Sequence, residues 1–167
     1  MRFEDVIEQY HDEIFSYLWR LLGRQRWSDT RNEVEDMAQE VFLRAYRAFP
    51  GLRRDSNHRA WLYKIATNCA LSQLERLKRR RNEAESLRTH ARCSNAGDQS
   101  LPPGDWSWLS SLLVELPTKQ QACVTLRYFQ DLDYPEIAAV LNCSEESARA
   151  NVYQAIRRLR RALEEKL

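Results

Sequence analysis

The C-terminal part of the sequence places arginine and tyrosine at helical spacing, a pattern that suits nucleic-acid binding. Arg149, Tyr153 and Arg157 recur every four residues, and Arg160 or Arg161 continues the row. Residues three or four positions apart share one face of an α-helix, so these side chains would form a single strip. Arginine hydrogen-bonds base edges in the major groove and pairs with phosphates. The alternative is an ordinary helical hairpin with a solvated arginine face.

The segments around this strip favour DNA binding. Residues 134–158 predict a short helix, a tight turn and a longer helix, which is the helix-turn-helix layout. Asp133 and Ser144 are suitable N-cap residues for the two helices. In such a motif the second helix enters the major groove by its first turns, where Arg149 lies.

A second basic zone precedes it in the chain. Residues 51–81 carry nine basic and two acidic side chains. A basic loop, 52–59, leads into a helix that begins with Trp61, Tyr63 and Lys64. Aromatic rings beside cations can stack on unpaired bases. Taken alone this signal is weak, because Trp61 at helical spacing also suits a core position.

The remaining pattern predicts an all-α protein. Apolar residues recur every three or four positions, and the chain has only four Gly and five Pro. Helices are expected over the following ranges: 3–22, 33–49, 59–81, 105–116 and 119–130. Residues 82–104 lose this periodicity and contain Pro102-Pro103-Gly104, which predicts a linker. With no long apolar run and no basic-then-apolar start, we expect no membrane insertion and a cytoplasmic location.

The cysteine and histidine residues do not predict a catalytic or metal site. Cys69 and Cys123 fall on apolar stripes and are expected to be buried, reduced thiols. His90 and Cys93 have metal-like spacing but form a lone pair, so a metal or redox role there stays open. With three scattered histidines and no glycine-rich phosphate loop, we expect neither an enzyme nor a cofactor.

Two stretches of the sequence together resemble the extracytoplasmic-function sigma factors of bacteria. VEDMAQEVFLRAYRAFPGLRRDSNHRAWLYKIATNCALSQLERLKRR (34–80) resembles their first conserved domain. LPTKQQACVTLRYFQDLDYPEIAAVLNCSEESARANVYQAIRRLRRAL (116–163) resembles their second, in the expected order and at the expected separation. The resemblance implies two small helical domains, 1–84 and 105–167, joined by a flexible linker, 85–104.

The resemblance also implies a function and its residues. The chain would be an alternative sigma factor that binds core RNA polymerase, directs it to promoter DNA and is regulated by an anti-sigma factor. The polymerase would dock on one helix face, formed by Glu35, Asp36, Gln39, Glu40, Leu43 and Arg47. The other implied surfaces bind DNA.

The first of these DNA surfaces would hold the minus-10 element as a melted single strand. It comprises Arg53, Arg54, Asp55, Ser56, Asn57, Trp61, Tyr63, Lys64 and Asn68. A basic run would follow the phosphates, formed by Arg76, Lys78, Arg79 and Arg80. The second surface would read the minus-35 element as duplex and comprises Ser147, Arg149, Ala150, Tyr153, Gln154 and Arg157.

A stand-alone helix-turn-helix regulator is the competing interpretation. Such a regulator needs neither a docking helix nor a melting loop, so the N-terminal segment discriminates between the two. An enzyme or metal protein is a third class, and it would need clustered nucleophiles, bases or ligands.

Overall fold

The structure is a computed structural model that describes residues 2–22, 30–87 and 107–166. All regular secondary structure in these ranges is helical, which confirms the all-α prediction. The α-helices described there are α1 (Phe3–Leu22), α2 (Thr30–Ala48), α3 (His58–Leu87), α4 (Ser107–Glu115), α5 (Thr118–Val124), α6 (Tyr134–Leu141) and α7 (Glu145–Lys166). A 3₁₀ turn, Phe49–Gly51, follows α2, and a π-helical turn, Thr125–Phe129, follows α5.

The three N-terminal helices pack around one apolar core. Buried side chains from α1, α2 and α3 meet there, among them Leu18, Val41 and Leu62. The hydroxyls of Tyr17 and Thr67 lie 2.8 Å apart in this core and hydrogen-bond to each other. Burial of these polar groups is tolerated because each has a partner. Burial also raises the pKa of the Tyr17 hydroxyl, so it stays neutral.

The C-terminal helices build a smaller second core. It joins α4, α5 and α7 and consists of Leu112, Leu113, Leu116, Val124, Ala155 and Leu159. Here α7 buries one stripe of its surface and leaves the opposite side exposed. A helix with one apolar stripe must cover that stripe with a neighbour, and α5 does so.

The larger core is shared by the two halves of the chain. C-terminal residues are buried in the same cluster as α1–α3, namely Cys123, Leu126, Leu132, Ile137, Ala138, Val140, Ala148 and Val152. The two helical regions therefore lie against each other. The sequence predicted both regions but not this contact.

Several boundaries differ from the sequence prediction. Helix α3 continues to Leu87, so the first three residues of the predicted linker 85–104 are helical. The rest of that linker lies outside the described residues. Helix α2 begins at Thr30 rather than at residue 33.

The helix predicted over 119–130 ends early in a π-helical turn. The backbone N–H of Gln130 bonds to the carbonyl of Thr125 at 3.2 Å, five residues back. Thr125 also donates its hydroxyl to the carbonyl of Gln121 at 2.8 Å, a local bond of the kind that bends helices. Asp131 then takes a positive φ of 55°, an uncommon conformation for a residue other than glycine. This geometry turns Gln130 back toward the N-terminal helices.

The helix-turn-helix is confirmed, with both predicted caps. The Asp133 carboxylate accepts from the N–H of Glu136 at 2.9 Å, and Glu136 accepts from the N–H of Asp133 at 3.0 Å. Asn142 ends α6 with a φ of 52°, in the left-handed region that asparagine tolerates. Ser144 then caps α7 by accepting from the N–H of Ser147 at 3.1 Å.

The shared core predicts that a single C-terminal side chain stabilises both halves. Leu126 is fully buried in it. Leu126→Ala should lower the free energy of unfolding by about 2–5 kcal/mol, the usual effect of emptying such a site. Equilibrium denaturation measures the change. Tyr128→Ala, two residues away and exposed, is the control, and equal losses in both variants would contradict the shared core.

Candidate nucleic-acid interface

The exposed side of α7 carries most of the side chains predicted to read duplex DNA. The packed side of the helix is buried through Ala148, Val152 and Ala155. The opposite side is open to solvent and presents Arg149, Ala150, Tyr153, Gln154 and Arg157. Tyr153 has 69% of its surface exposed, with no packing role to explain an aromatic ring there. The structure therefore brings these five predicted residues together on one accessible strip.

This strip continues into a shallow groove that the sequence prediction did not include. The groove has a volume of about 500 Å³ and is lined in part by Tyr128, Tyr134, Arg160, Arg161 and Glu164. Tyr128 and Tyr134 come from elements that precede α7, so helical spacing along α7 could not have placed them there. The groove adds aromatic rings and positive charge beside the predicted strip.

Gln154 of the strip and the predicted residue Ser147 have hydrogen-bond partners within the C-terminal half. Gln120 on α5 donates to the side-chain oxygen of Gln154 at 3.0 Å. The predicted residue Ser147 is half-buried, and its carbonyl accepts from Asn151 at 2.9 Å. Ser147 is thus bonded within the first turns of α7. Gln154 stays exposed, and its side-chain oxygen is hydrogen-bonded to Gln120.

The loop before α3 exposes its charged side chains. Arg53, Arg54 and Asp55 are exposed, and Arg53 pairs with Asp55 at 3.7 Å. The side chain of Asn57 caps α3 by accepting from the N–H of Ala60 at 3.0 Å. Ser56 is half-buried at the turn that the loop makes. The basic loop is therefore fixed at the start of α3 with its arginines in solvent.

Four predicted residues then share one side of α3. Asn57, Trp61, Lys64 and Asn68 follow the three- and four-residue spacing of a helix face. Lys64 and Asn68 are exposed, and Trp61 is half-buried with its ring 6.4 Å from that of Phe49. Trp61 therefore combines the two roles that the sequence left open, packing against the core and bordering the exposed face.

Tyr63 is not on this face. It was predicted with the single-strand contacts, but it has no exposed surface and its ring packs edge-on against Tyr17. Burial raises the pKa of its hydroxyl, and the hydrogen bond to the Glu13 carboxylate raises it further. The reason is non-local, because the groups that cover Tyr63 come from α1 and from the C-terminal half. In this arrangement Tyr63 cannot touch DNA.

A polar network covers Tyr63 and joins the two halves of the chain. Arg59 pairs with Glu13, and its guanidinium also donates to the carbonyl of Gln130 at 2.7 Å. The Tyr63 hydroxyl lies 2.8 Å from both Glu13 Oε1 and Gln130 Oε1. Its one proton can serve only one of these oxygens. Turning the Gln130 amide by half a rotation would let its otherwise unpartnered, buried Nε2 donate to the hydroxyl.

Three other contacts extend this junction between the halves. Asn57 donates to Glu136 of the helix-turn-helix at 3.5 Å. Gln121 donates to the carbonyl of Leu21 at 3.4 Å. The guanidinium of Arg20 lies 5.0 Å from the centre of the Phe129 ring. The junction therefore reaches from the C-terminal part of α1 to the loop before α3.

The predicted protein-docking face lies on α2. Asp36, Gln39, Leu43 and Arg47 are exposed on this helix. The remaining two, Glu35 and Glu40, are half-buried and form ion pairs one turn along with Arg31 at 3.1 Å and with Arg44 at 2.6 Å. All six predicted residues are thus on the outer surface of α2.

A groove beside this face receives its second wall from α1. It has a volume of about 890 Å³ and combines Glu35, Gln39 and Leu43 of α2 with α1 residues, including Ile7, His11 and Phe15. The His11 ring stacks 5.7 Å from the Phe42 ring. The sequence offered one signal for this wall, since Ile7, His11 and Phe15 recur every four residues along α1.

The basic run on the last turns of α3 is accessible. Arg76, Arg79 and Arg80 are exposed, whereas Lys78 is half-buried. Burial lowers the pKa of Lys78, and the neighbouring charge of Arg81 lowers it further. The exposed arginines suit phosphate contact, but their role stays a prediction.

The cysteines follow the prediction where the structure describes them. Cys69 and Cys123 are buried in the core, and burial raises the pKa of Cys123 to about 12, so its thiol is inert. His90 and Cys93 lie outside the described residues. Within the described part of the chain no three metal-ligating side chains cluster, and no helix there is long and apolar enough to cross a membrane.

Comparison with known proteins agrees with this geometry. Residues 6–80 match the family model described as sigma-70 region 2, and residues 107–159 match sigma-70, region 4. The RNA polymerase sigma-H factor of Pseudomonas aeruginosa is 30% identical over 163 residues, covering 90% of this chain and 84% of the relative. The ECF RNA polymerase sigma-E factor of Escherichia coli is 32% identical over 133 residues, covering 74% and 70%.

Solved structures share the fold across the whole chain. The sigma factor RpoE of Bartonella quintana, solved with the anti-sigma factor NepR, has a TM-score of 0.72 at 21% identity and covers 97% of this chain and 96% of its own. CnrH, solved with the cytosolic domain of CnrY, has a TM-score of 0.70 at 21% identity and covers 99% and 89%. At this identity the likeness concerns the fold.

A chain in which sigma-70 region 2 is followed by region 4 is a transcription initiation factor of the sigma type. This chain belongs to the extracytoplasmic-function sigma factors, as the resemblance predicted, and is an alternative sigma factor.

The junction predicts that Arg59 contributes to holding the two halves together in the free chain. A compact chain of this length has a radius of gyration of about 15 Å. Arg59→Met removes the ion pair with Glu13 and the bond to Gln130, so the radius measured by small-angle X-ray scattering should rise. The control is Arg53→Met, a substitution at an exposed arginine outside the junction. Identical scattering from wild type and Arg59→Met would show that this network does not hold the halves.

Proposed function

We propose that this sigma factor divides promoter recognition between its two halves and docks on core RNA polymerase through α1 and α2. The α7 strip reads the minus-35 element as duplex, and the loop before α3 with the exposed side of α3 holds the minus-10 element as a single strand. The observation that carries the proposal is the presence of two separate exposed surfaces of different chemistry, one on each half of the chain. The chain itself makes or breaks no covalent bond.

The minus-35 assignment rests on the geometry of the helix-turn-helix. Its two caps and the left-handed Asn142 fix the angle between α6 and α7. The first exposed turns of α7 then present Arg149, Tyr153 and Gln154, a set that can bond base edges and pack against them. Arg157, Arg160 and Arg161 follow toward the C-terminus and suit the flanking phosphates.

The minus-10 assignment rests on a different set of groups. The loop offers Arg53 and Arg54 to the backbone of a strand, while the half-buried Trp61 offers a ring edge for stacking. Asn68 is an exposed amide one helical turn beyond Lys64 and can bond the Watson–Crick edge of an extruded base.

The polymerase assignment rests on the α1–α2 groove. Charged and amide side chains of α2, including Glu35 and Gln39, border an apolar floor that contains Phe42 and the exposed Leu43. An apolar centre with a polar rim is the usual anatomy of a protein-binding surface. A partner helix of matching length and charge would fit this groove.

The two DNA elements cannot be read at once in the arrangement described here. Their centres lie about 25 base pairs apart, which is about 85 Å of duplex at roughly 3.4 Å per base pair. In this structure the loop that would hold one element bonds to the motif that would read the other, through Asn57 and Glu136. The halves must therefore separate when the holoenzyme binds a promoter.

The arrangement in which the two halves are in contact, called the closed arrangement below, suits binding of a regulatory partner. Two structures that share the fold over nearly the whole chain were solved with an anti-sigma factor or with the cytosolic domain of a partner protein. Both support an anti-sigma partner for this chain, and such a partner would act by holding the two halves in contact. The location that goes with polymerase binding is the bacterial cytoplasm.

Docking is tested by reversing charge on α2. Asp36→Arg combined with Gln39→Ala should weaken binding to core polymerase and leave the fold intact, because both side chains are exposed. Co-purification or fluorescence anisotropy with core enzyme measures the affinity. Glu83→Arg on the exposed end of α3 makes the same change in charge and should bind as wild type does. Unchanged affinity of the α2 variant would contradict the assignment.

Promoter opening is tested at Asn68. Asn68→Ala should leave holoenzyme binding to duplex promoter intact, reduce permanganate reactivity of unpaired thymines, and regain transcription on a pre-melted bubble template. Asn82→Ala, another exposed asparagine of α3, is the matched control. Arg149→Ala should show the opposite pattern, with about 1–3 kcal/mol lost at one or two minus-35 positions and normal opening once bound. Failure of the bubble template to rescue Asn68→Ala would refute the division of roles.

A further inference from the structure

Tyr134 is placed where it contacts the first arginine of the reading strip. It is the first residue of α6, and its half-buried ring contacts two guanidinium groups. The central carbon of Arg149 is 4.6 Å from the ring centre, and that of Arg127 is 5.0 Å away. Both distances are within the range of a cation–π contact. An aromatic ring therefore connects the segment before α6 with the helix that faces DNA.

The ring is held on a rigid part of the motif. Arg127 donates to the carbonyl of Leu132 at 3.0 Å. This hydrogen bond fixes the Arg127 guanidinium in its contact with the Tyr134 ring. The backbone at Tyr134 is set by the reciprocal bonds between Asp133 and Glu136. The position of the ring is thus determined by elements other than α7.

Two contacts restrict the conformation of the Arg149 side chain. Glu145, one turn earlier on α7, accepts from its Nη2 at 2.9 Å. The Tyr134 ring supports the flat face of the same guanidinium, and 59% of the side chain stays exposed. A free arginine side chain samples many rotamers, and a base-reading arginine gains specificity when its direction is set in advance.

We propose that Tyr134 is a positioning residue that sets the direction of Arg149 for reading the minus-35 duplex. This inference rests on the proposed function of α7. The proposed contact with Arg149 is made by the face of the Tyr134 ring. Tyr134→Phe should therefore keep the function, whereas a side chain without a ring should lose it.

The test is a double-mutant cycle measured on the holoenzyme. Wild type, Arg149→Ala, Tyr134→Leu, Tyr134→Phe and the Tyr134→Leu/Arg149→Ala pair are each assembled with core polymerase. Each holoenzyme is titrated with duplex promoter fragments in which every minus-35 base pair is substituted in turn. The readout is the ratio of affinities for parent and substituted fragments at each position. Thermal melting of each chain reports whether α6 and α7 stay folded.

The expected result is confined to the bases that Arg149 reads. Arg149→Ala should remove discrimination at one or two positions, and Tyr134→Leu should reduce it severalfold at the same positions only. Tyr134→Phe should match wild type, and adding Tyr134→Leu to Arg149→Ala should change nothing further. If Tyr134→Leu melts the domain, Tyr134→Met replaces it in the same cycle.

Other results would overturn the inference in distinguishable ways. An equal loss at all positions, or an effect that adds to that of Arg149→Ala, would mean that Tyr134 only supports the fold. An effect of Arg149→Ala with none of Tyr134→Leu would refute positioning while leaving the proposed function standing. If Arg149→Ala leaves every position unchanged, α7 does not read the minus-35 element through Arg149, and the inference fails with that assignment.

Discussion

The contact between the two halves of the chain is the interaction on which the rest of this structure depends. Its centre is the Arg59 guanidinium, which pairs with Glu13 and bonds to the Gln130 carbonyl. Arg59 and Glu13 are each about one-third exposed, so their attraction is partly screened by water. Apolar burial around the network, including Leu126 and Ile137, supplies the larger stabilising contribution. The polar bonds determine which surfaces meet.

This contact gives a reason for the irregular backbone of the C-terminal half. A regular helix through residue 130 would carry Gln130 along the axis of α5. The π-helical turn and the left-handed Asp131 instead turn the chain, and Gln130 enters the junction with both its carbonyl and its amide. Such turns occur often at functional sites. In the proposed function, the closed arrangement opens at this irregular segment when a promoter is bound.

In the closed arrangement, the surfaces with a proposed function differ in their contacts across the junction. The exposed residues of α2 and the strip on α7 are accessible. In the loop before α3, Asn57 bonds across the junction to Glu136. Docking of polymerase on α2, as proposed, would therefore not require the halves to separate. Separation would release Asn57 and leave the contacts of Tyr63 with Glu13 and Tyr17 in place, since both partners belong to the N-terminal half. Promoter specificity would thus depend on parts of the structure that separation of the halves leaves unchanged, such as the caps of the helix-turn-helix.

The sequence was informative wherever the determining contacts are local. Caps such as Asp133 and Ser144 act within three residues, so the helix-turn-helix could be predicted with its boundaries. The position of Tyr63 could not, because it is covered by groups 50 and 67 residues away in the chain. The same holds for the ring of Tyr134 beside Arg149. Helical spacing shows which residues share a face, and it carries no information on what packs against that face.

We expect the two halves of the chain to lie together when it is free and apart when it works with polymerase on a promoter. The most direct measurement is resonance energy transfer between labels at Asp55, in the exposed loop near Asn57, and Ala139, exposed on α6 near Glu136. The account predicts high transfer in the free chain and a large loss of transfer when core polymerase and promoter DNA are added. Transfer that stays high in a complex active in transcription would contradict it.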